Sequence, residues 1–347
     1  MRALIKNKKG NRVRTPISKK RQWIIMKKTL LALAVAAVAS TSVQAAEIVK
    51  TDEGSVNFYG QLREQFTSTN DDASPSTDLS AGSSRAGVVA KYTAAEGFDV
   101  IGHVEFKLTD FSDRLHYIGF ATDYGTLKFG QQAIIGDDVY GAEYSYAFGA
   151  SSGFLYEEFY YLENNIRYEL EGDAGWLKAA YNMGERDGGD TVTVDDNGDE
   201  DGTPEHAALY AGTAFGDLSV HAGVAHTASG STATETGSTS YELTGEYSND
   251  GATFGATLFA LDGGDDVADR AAISLAAYVP VAAKTAAYGG FQFADVDADD
   301  SDETNAYIGL EYKFASWARA YAEYGYSKTD GDDDSVLSTA LGARVYW

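Results

Sequence analysis

Gly149-Ala150-Ser151-Ser152-Gly153 has the G-x-S-x-G spacing of a nucleophile elbow, a motif that needs a strand before it, a helix after it, and Asp and His partners presented to the serine. It lies instead in a long aromatic stretch of a chain that reads as all-β. Its glycines and serines are therefore taken as a bend, and no hydrolase is expected. The acidic runs at 195–201 and 295–303 invite a calcium reading. Neither places Gly at position six and Glu at position twelve of a calcium loop. Both read as solvated loops, with loose divalent binding as the alternative. The five histidines are scattered and cysteine is absent, which removes thiolate zinc sites and cysteine nucleophiles. No metal, cofactor or enzymatic activity is expected.

Charges on alternating segments carry more information. Over 98–108, Phe98, Val100, Gly102, Val104, Phe106 and Leu108 share one face, and Asp99, Ile101, His103, Glu105 and Lys107 the other. The same period of two opposes Val56, Phe58, Gly60 and Leu62 to Asn57, Tyr59, Gln61 and Arg63, and later Ile308, Leu310, Tyr312 and Phe314 to Tyr307, Gly309, Glu311 and Lys313. By this alternation Arg63, Arg85, Lys91, Lys107 and Arg167 fall on polar faces, while Arg114 and Lys128 sit at strand ends or on faces that alternation leaves undecided. On a lipid-facing side a mid-bilayer Arg or Lys costs roughly 2–4 kcal/mol, so in a membrane barrel these cations line the interior.

The elements that must carry these faces are strands. No segment after Ala45 keeps a helical period over three turns, and no apolar run approaches a spanning helix. About sixteen alternating segments can be traced between 55 and 347, and their connections sort by length. Tight turns at 94–97, 123–124, 172–174, 215–216, 249–250, 280–281 and 315–316 alternate with longer or acidic stretches such as 68–82, 183–204 and 295–303. Short turns at one rim and long loops at the other mark a transmembrane barrel; a soluble sandwich has no reason to sort its loops this way. About sixteen strands would also leave an aqueous channel, unlike an eight-stranded barrel filled by side chains.

The N-terminus is read separately. Residues 26–45, MKKTLLALAVAAVASTSVQA, combine a basic start, a short apolar run and small residues before a cut, the pattern of a secretory signal with cleavage between Ala45 and Ala46. Residues 1–25 are read as a start-site artefact upstream of Met26, and 46–347 as the barrel. Without the eleven Lys and Arg of residues 1–45, 16 basic face 52 acidic side chains, a net charge of −36. Such a chain is no nucleic-acid binder. With 44% hydrophobic residues and 23 tyrosines, it has too much apolar surface to stay disordered.

Several segments together resemble the general porin family of Gram-negative outer membranes: Asn57-Phe58-Tyr59-Gly60-Gln61-Leu62-Arg63, Ser84-Arg85-Ala86-Gly87-Val88, Asp113-Arg114-Leu115-His116-Tyr117-Ile118-Gly119-Phe120, Tyr124-Gly125-Thr126-Leu127-Lys128-Phe129-Gly130-Gln131 and the terminal Val345-Tyr346-Trp347. The resemblance implies an all-β, sixteen-stranded antiparallel barrel, a homotrimer, that passes ions and small hydrophilic solutes. It implies that the third external loop, about 133–162, folds inward, setting Asp137, Asp138, Glu143, Glu157 and Glu158 against a basic wall. Arg85 and Arg114 match the family's basic cluster; Arg63 lies one inward step past the family's lysine position, occupied here by Gln61, and Arg167 is added by alternation. Val345, Tyr346 and Trp347 match the terminal signature read by the barrel-assembly machinery, although the family usually ends in Phe. Outer-membrane lipid and lipopolysaccharide are the implied surroundings.

The sequence thus leads to a cation-preferring diffusion pore in the outer membrane, with a substrate-specific porin or a barrel acting mainly as an adhesin as alternatives. Mass spectrometry of the protein from outer membranes should find Ala46 as its first residue; retention of residues before Met26 would contradict the start-site reading.

Overall fold

The computed structural model describes residues 46–347 apart from 71–74, 140, 150–159, 185–192, 195–199, 202–203, 230–235, 265–267, 299–300 and 333. The expected signal and start-site segments at 1–45, Glu157, Glu158, residues 150–153 of the Gly-Ser bend and most of the 195–201 acidic run lie outside the described residues. Sixteen strands make the wall: β1 (Gly54–Asn70), β2 (Arg85–Ala95), β3 (Phe98–Lys107), β4 (Asp113–Thr122), β5 (Gly125–Ala133), β6 (Asn165–Gly172), β7 (Gly175–Asn182) and β8 (Glu205–Phe215). They continue as β9 (Leu218–Ser229), β10 (Thr236–Asn249), β11 (Ala252–Asp262), β12 (Arg270–Ala282), β13 (Thr285–Val296), β14 (Glu303–Ala315), β15 (Ala318–Thr329) and β16 (Val336–Tyr346). Each pairs antiparallel with the next, and β16 returns to β1 with Leu62 opposite Val345 and Arg63 opposite Arg344. The result is a closed sixteen-stranded barrel. Closure leaves no sheet edge whose N–H and C=O groups would face hydrocarbon.

The two faces are inverted relative to a soluble protein. Ile308, Leu310, Tyr312 and Phe314 of β14 are turned outward, Ile308 at 66% exposure, while Glu311 between them is 1% exposed inside. Outward Val104 and Phe106 likewise flank inward Glu105 on β3. This is the alternation seen in the sequence, with the apolar set given to lipid.

Seven connections at one rim are two-residue turns: 96–97, 123–124, 173–174, 216–217, 250–251, 283–284 and 316–317. In the fifth, Asp250 and Gly251 both have positive φ, 52° and 81°, the backbone that matches strand twist in a tight hairpin and that Asp-Gly adopts readily. Pro280 does not end its strand, as its type suggests. β12 continues through a register shift between Pro280 and Ala282 and turns at 283–284, because an irregular pair tolerates a residue without an N–H.

A short strand absent from the sequence reading, Ala46–Lys50, pairs with β1 from Ala46 opposite Phe58. It continues the line of β16 along the same edge of β1. There Trp347 exchanges two backbone bonds with Gly60, at 2.9 and 3.1 Å, and its ring lies 6.2 Å from Phe58. Tyr346 is buried inside and donates its N–H to the Trp317 carbonyl in the last tight turn, 2.9 Å. Deleting Trp347 strips Gly60 of both partners, whereas Trp347→Phe keeps them and a ring. The deletion should lower the yield of assembled barrel much more than Trp347→Phe, measured by heat-modifiable electrophoretic mobility; equal, normal yields would contradict this.

Candidate functional site

The segment after β5 is laid along the inner wall from β6 round to β16. It opens with one helical turn, α1 (Ile135–Val139). Ile135 and Val139 bury against Ala180, Ala208, Tyr210 and Ala225 of β7–β9, with Trp176 beside them. That platform explains Ala180 of β7: a larger side chain there would occupy the space α1 fills.

Pinning one face of α1 to the wall presents Asp137 and Asp138 to the basic strands. Asp138 makes an ion pair with Arg167, which is 2% exposed and also meets Glu169 at 2.7 Å. Asp137 lies in the field of Arg85 and Arg114; burial, and then the neighbouring Asp138, push its carboxyl above the ordinary range against those two cations. Arg114 and Arg85 share Glu105, with Nε–O distances of 2.8 and 3.5 Å, and the Tyr59 hydroxyl donates to the same carboxylate at 2.7 Å. The Arg114 guanidinium lies 5.0 Å over the Tyr161 ring. Both strand-end cations left undecided by alternation therefore face inward, since Lys128 reaches Glu169 at 2.7 Å.

The remaining site residues separate from this group. Glu143 accepts from Gln292 of β13 at 3.3 Å, on the wall away from Arg85 and Arg114. Arg63 stands beside Arg344 and Arg85 and makes no ion pair with a loop acid among the described residues.

Beyond α1 the chain is irregular, and its polar groups need partners in a confined interior. The wall supplies them. Ala142 N–H donates to Thr257 Oγ1 at 2.6 Å and its carbonyl accepts from Ser274 Oγ at 2.8 Å. Tyr144 donates its hydroxyl to Glu246 at 2.6 Å and its N–H to the Tyr307 hydroxyl at 2.8 Å. Glu323, 2% exposed, is the main anchor: it accepts from Ser145 Oγ at 2.6 Å, from the N–H groups of Tyr146 and Phe148 at 2.8 Å each, and from the Tyr288 hydroxyl at 2.9 Å. The Tyr146 hydroxyl donates to Glu311 and accepts from Arg319, while Arg344 donates to the Tyr146 carbonyl at 3.0 Å. Missing side chains make the fit close. A Cβ at Gly255 would stand 2.6 Å from Ala142 Cβ, and one at Gly325 2.7 Å from Phe148 Cβ.

The arrangement is a polar interior narrowed by a segment with an acidic end and an anchored end. Alternation placed Glu311 inward, but Glu246, Glu323, Arg319 and Arg344 were not singled out as site residues. Their partners on the inward segment stand more than 100 positions away in sequence, and alternation reports a side of the wall and nothing about what lies across the lumen.

The model of the Gram-negative porin family matches residues 32–332. The chain belongs to the Gram-negative porin family. A major outer membrane protein of Pasteurella multocida strain Pm70 is 33% identical over 148 residues, 38% of this chain and 42% of that protein, so the chain matches under half the length of that curated relative. Among solved structures, OmpT of Vibrio cholerae expressed in the outer membrane is 34% identical with a TM-score of 0.70, covering 87% of this chain and all of that one. An anion-selective porin from Comamonas acidovorans shares the fold at 16% identity and a TM-score of 0.69, over 85% of this chain and all of that one. This porin resides in the bacterial outer membrane.

Glu323→Gln replaces an acceptor of several buried donors by a group that also donates, and should weaken docking of 141–149 by roughly 3 kcal/mol. Gly325→Leu should displace Phe148 sterically. Both variants are expected to assemble, to show noisier single-channel current than the wild type, and to be cut faster within 141–162 by added protease; wild-type noise and protection in both would refute the anchoring role.

Proposed function

We propose that this porin is a passive diffusion channel for ions and small hydrophilic solutes, with a preference for cations set at the inward segment. The observation that carries the reading is the placement of Asp137 and Asp138 against Arg85, Arg114 and Arg167 in a charged interior. Opposed charges in confined water keep a local field that favours small polar solutes over apolar ones. Assembly as a homotrimer is supported by the trimer form recorded for Vibrio cholerae OmpT, 36% identical over 85% of this chain. Export through the signal at 26–45, recognition of Val345-Tyr346-Trp347 by the barrel-assembly machinery, and lipopolysaccharide at the acidic rim belong to the same proposal.

A sugar-guiding aromatic track is the less favoured reading. Tyr146 stacks on Tyr321 at 4.6 Å and meets Tyr288 edge-on at 5.4 Å, but the hydroxyls of Tyr144, Tyr146 and Tyr288 are committed to Glu246, Glu311 and Glu323. They hold the inward segment in place.

Asp137→Asn combined with Asp138→Asn leaves Arg85, Arg114 and Arg167 less compensated. A unit charge about 8 Å from a passing ion contributes roughly 0.5–2 kcal/mol, so the cation-to-anion permeability ratio should fall about twofold or more, read as reversal potential in a salt gradient. Neutralising Asp332 and Asp334 on the rim should change it little, because exposed charges are screened within about 8–10 Å. Equal shifts from the two pairs would contradict the assignment. With its carboxyl raised, Asp137 takes up its proton at a higher pH than an ordinary aspartate, about 3.9. On acidification cation preference should therefore begin to fall above that pH in the wild type, and this step should be missing in Asp137→Asn.

A further inference from the structure

Most lumen cations described above have an acid within reach: Arg85 and Arg114 share Glu105, Arg167 has Asp138 and Glu169, and Lys128 has Glu169. One group departs from this. Arg319 pairs across β15–β16 with Arg344, and Arg344 pairs across β16–β1 with Arg63, so three arginines stand in one row. Directly opposed side chains on neighbouring strands lie about 4.5–5.5 Å apart at Cβ, and like charges there are destabilising.

Arg319 is relieved by Glu311 at 3.0 Å. Among the described residues Arg344 meets the Tyr146 carbonyl, the Tyr321 hydroxyl and the faces of Tyr146 and Tyr321, at 4.3 and 5.4 Å. Among the described residues neither Arg344 nor Arg63 makes an ion pair. Glu64, next to Arg63 in sequence, is on the outer face and cannot serve. The Nε atoms of both arginines and the hydroxyl of Tyr346 are shut off from solvent without a hydrogen-bond partner. Tyr346 belongs to the same cluster, with Arg319 5.0 Å over its ring. Unmet donors of this kind are costly when buried, and here they converge on one place.

Its position is defined by the last tight turn. Arg319 follows 316–317 by two residues, so the row lies at the short-turn, periplasmic end of the lumen, beside Tyr146 of the inward segment. We propose that Arg63 and Arg344, with Arg319 and the Tyr346 hydroxyl beside them, bind an oxyanion, the phosphate or carboxylate group of a permeating solute, on the periplasmic side of the inward segment. Guanidinium forks match the several acceptor oxygens of such a group; a chloride ion offers no matching set. The inference rests on the pore reading only in that the solute must reach the row through the lumen.

The test uses the purified full-length protein in planar bilayers, with inorganic phosphate titrated on the short-turn side at constant potassium chloride and pH. Conductance should fall saturably. The half-blocking concentration should rise about tenfold in Arg63→Gln, which loses one charged partner of the anion. Arg344→Lys, which keeps the charge and loses the fork, should fall between the two. Lys284→Gln, at a tight turn of the same rim, should behave as wild type. Succinate titrated in the same way separates the sources: block by both supports a general oxyanion site, and block by one supports that chemistry.

No block by either, or the same block in Arg63→Gln, overturns the proposal while leaving an open channel intact. A wild type without conductance refutes the pore reading instead. For that case the phosphorus resonance of phosphate added to detergent-solubilised protein gives a separate measure. Saturable broadening that is lost in Arg63→Gln supports the site, and broadening that is absent or persists in the variant overturns it.

Discussion

A backbone in hydrocarbon can leave no N–H or C=O unpaired, and this molecule meets that demand by bringing β16 back onto β1. Closure fixes the strand faces, and the faces fix the chemistry. Every second residue must tolerate lipid, so the charges are driven to the interior, where Glu105, Glu311 and Glu323 are nearly sealed from solvent. The terminal Trp347 takes part in the same closure through its two bonds to Gly60, and Ala46–Lys50 extends the paired edge below it.

The constraint reaches into the lumen. A segment without regular structure can lie there only if its own polar groups are met, and the wall glutamates meet them. The two ends of that segment divide the work. Around α1, apolar contacts fix the backbone and leave Asp137 and Asp138 to shape the field. Around Tyr146, carboxylates hold the backbone, with few acids left over on that side for the solute. Where the acids are used up as anchors, Arg63 and Arg344 of the neighbouring wall stand without an acid among the described residues.

Much of the barrel was legible in the sequence because a period of two is a local property. The faces of β1, β3 and β14 follow from it directly, as do the sorted connections. Pro280 misled because its missing N–H argues for a turn while a register irregularity absorbs it. Ala46–Lys50 escaped because five residues beside the proposed cleavage site carry too little alternation to be read. Of the functional region, the pairing of Asp138 with Arg167 fits opposed charges read from the chain, whereas Glu143 against Gln292 and the anchor at Glu323 arise from contacts across the lumen that no local pattern encodes. The glycines at 255 and 325 look, in sequence, like any inward small residue; their reason is the backbone that passes over them.

Residues 141–149 are fixed against the inner wall, where they narrow the passage of the proposed channel. The chain has no cysteine, so Ala142→Cys with Gly255→Cys gives an unambiguous cross-link, and the 2.6 Å between the two Cβ positions needs to open by only about an ångström to suit a disulfide, whose Cβ separation is about 3.8 Å. Single-channel recording of the oxidised double variant is the direct measurement. The disulfide should form in the folded barrel, and the bonded channel should conduct within the range of the wild type. Failure of the bond to form in folded barrels, or a bonded channel whose conductance departs severalfold from the wild type, would contradict it.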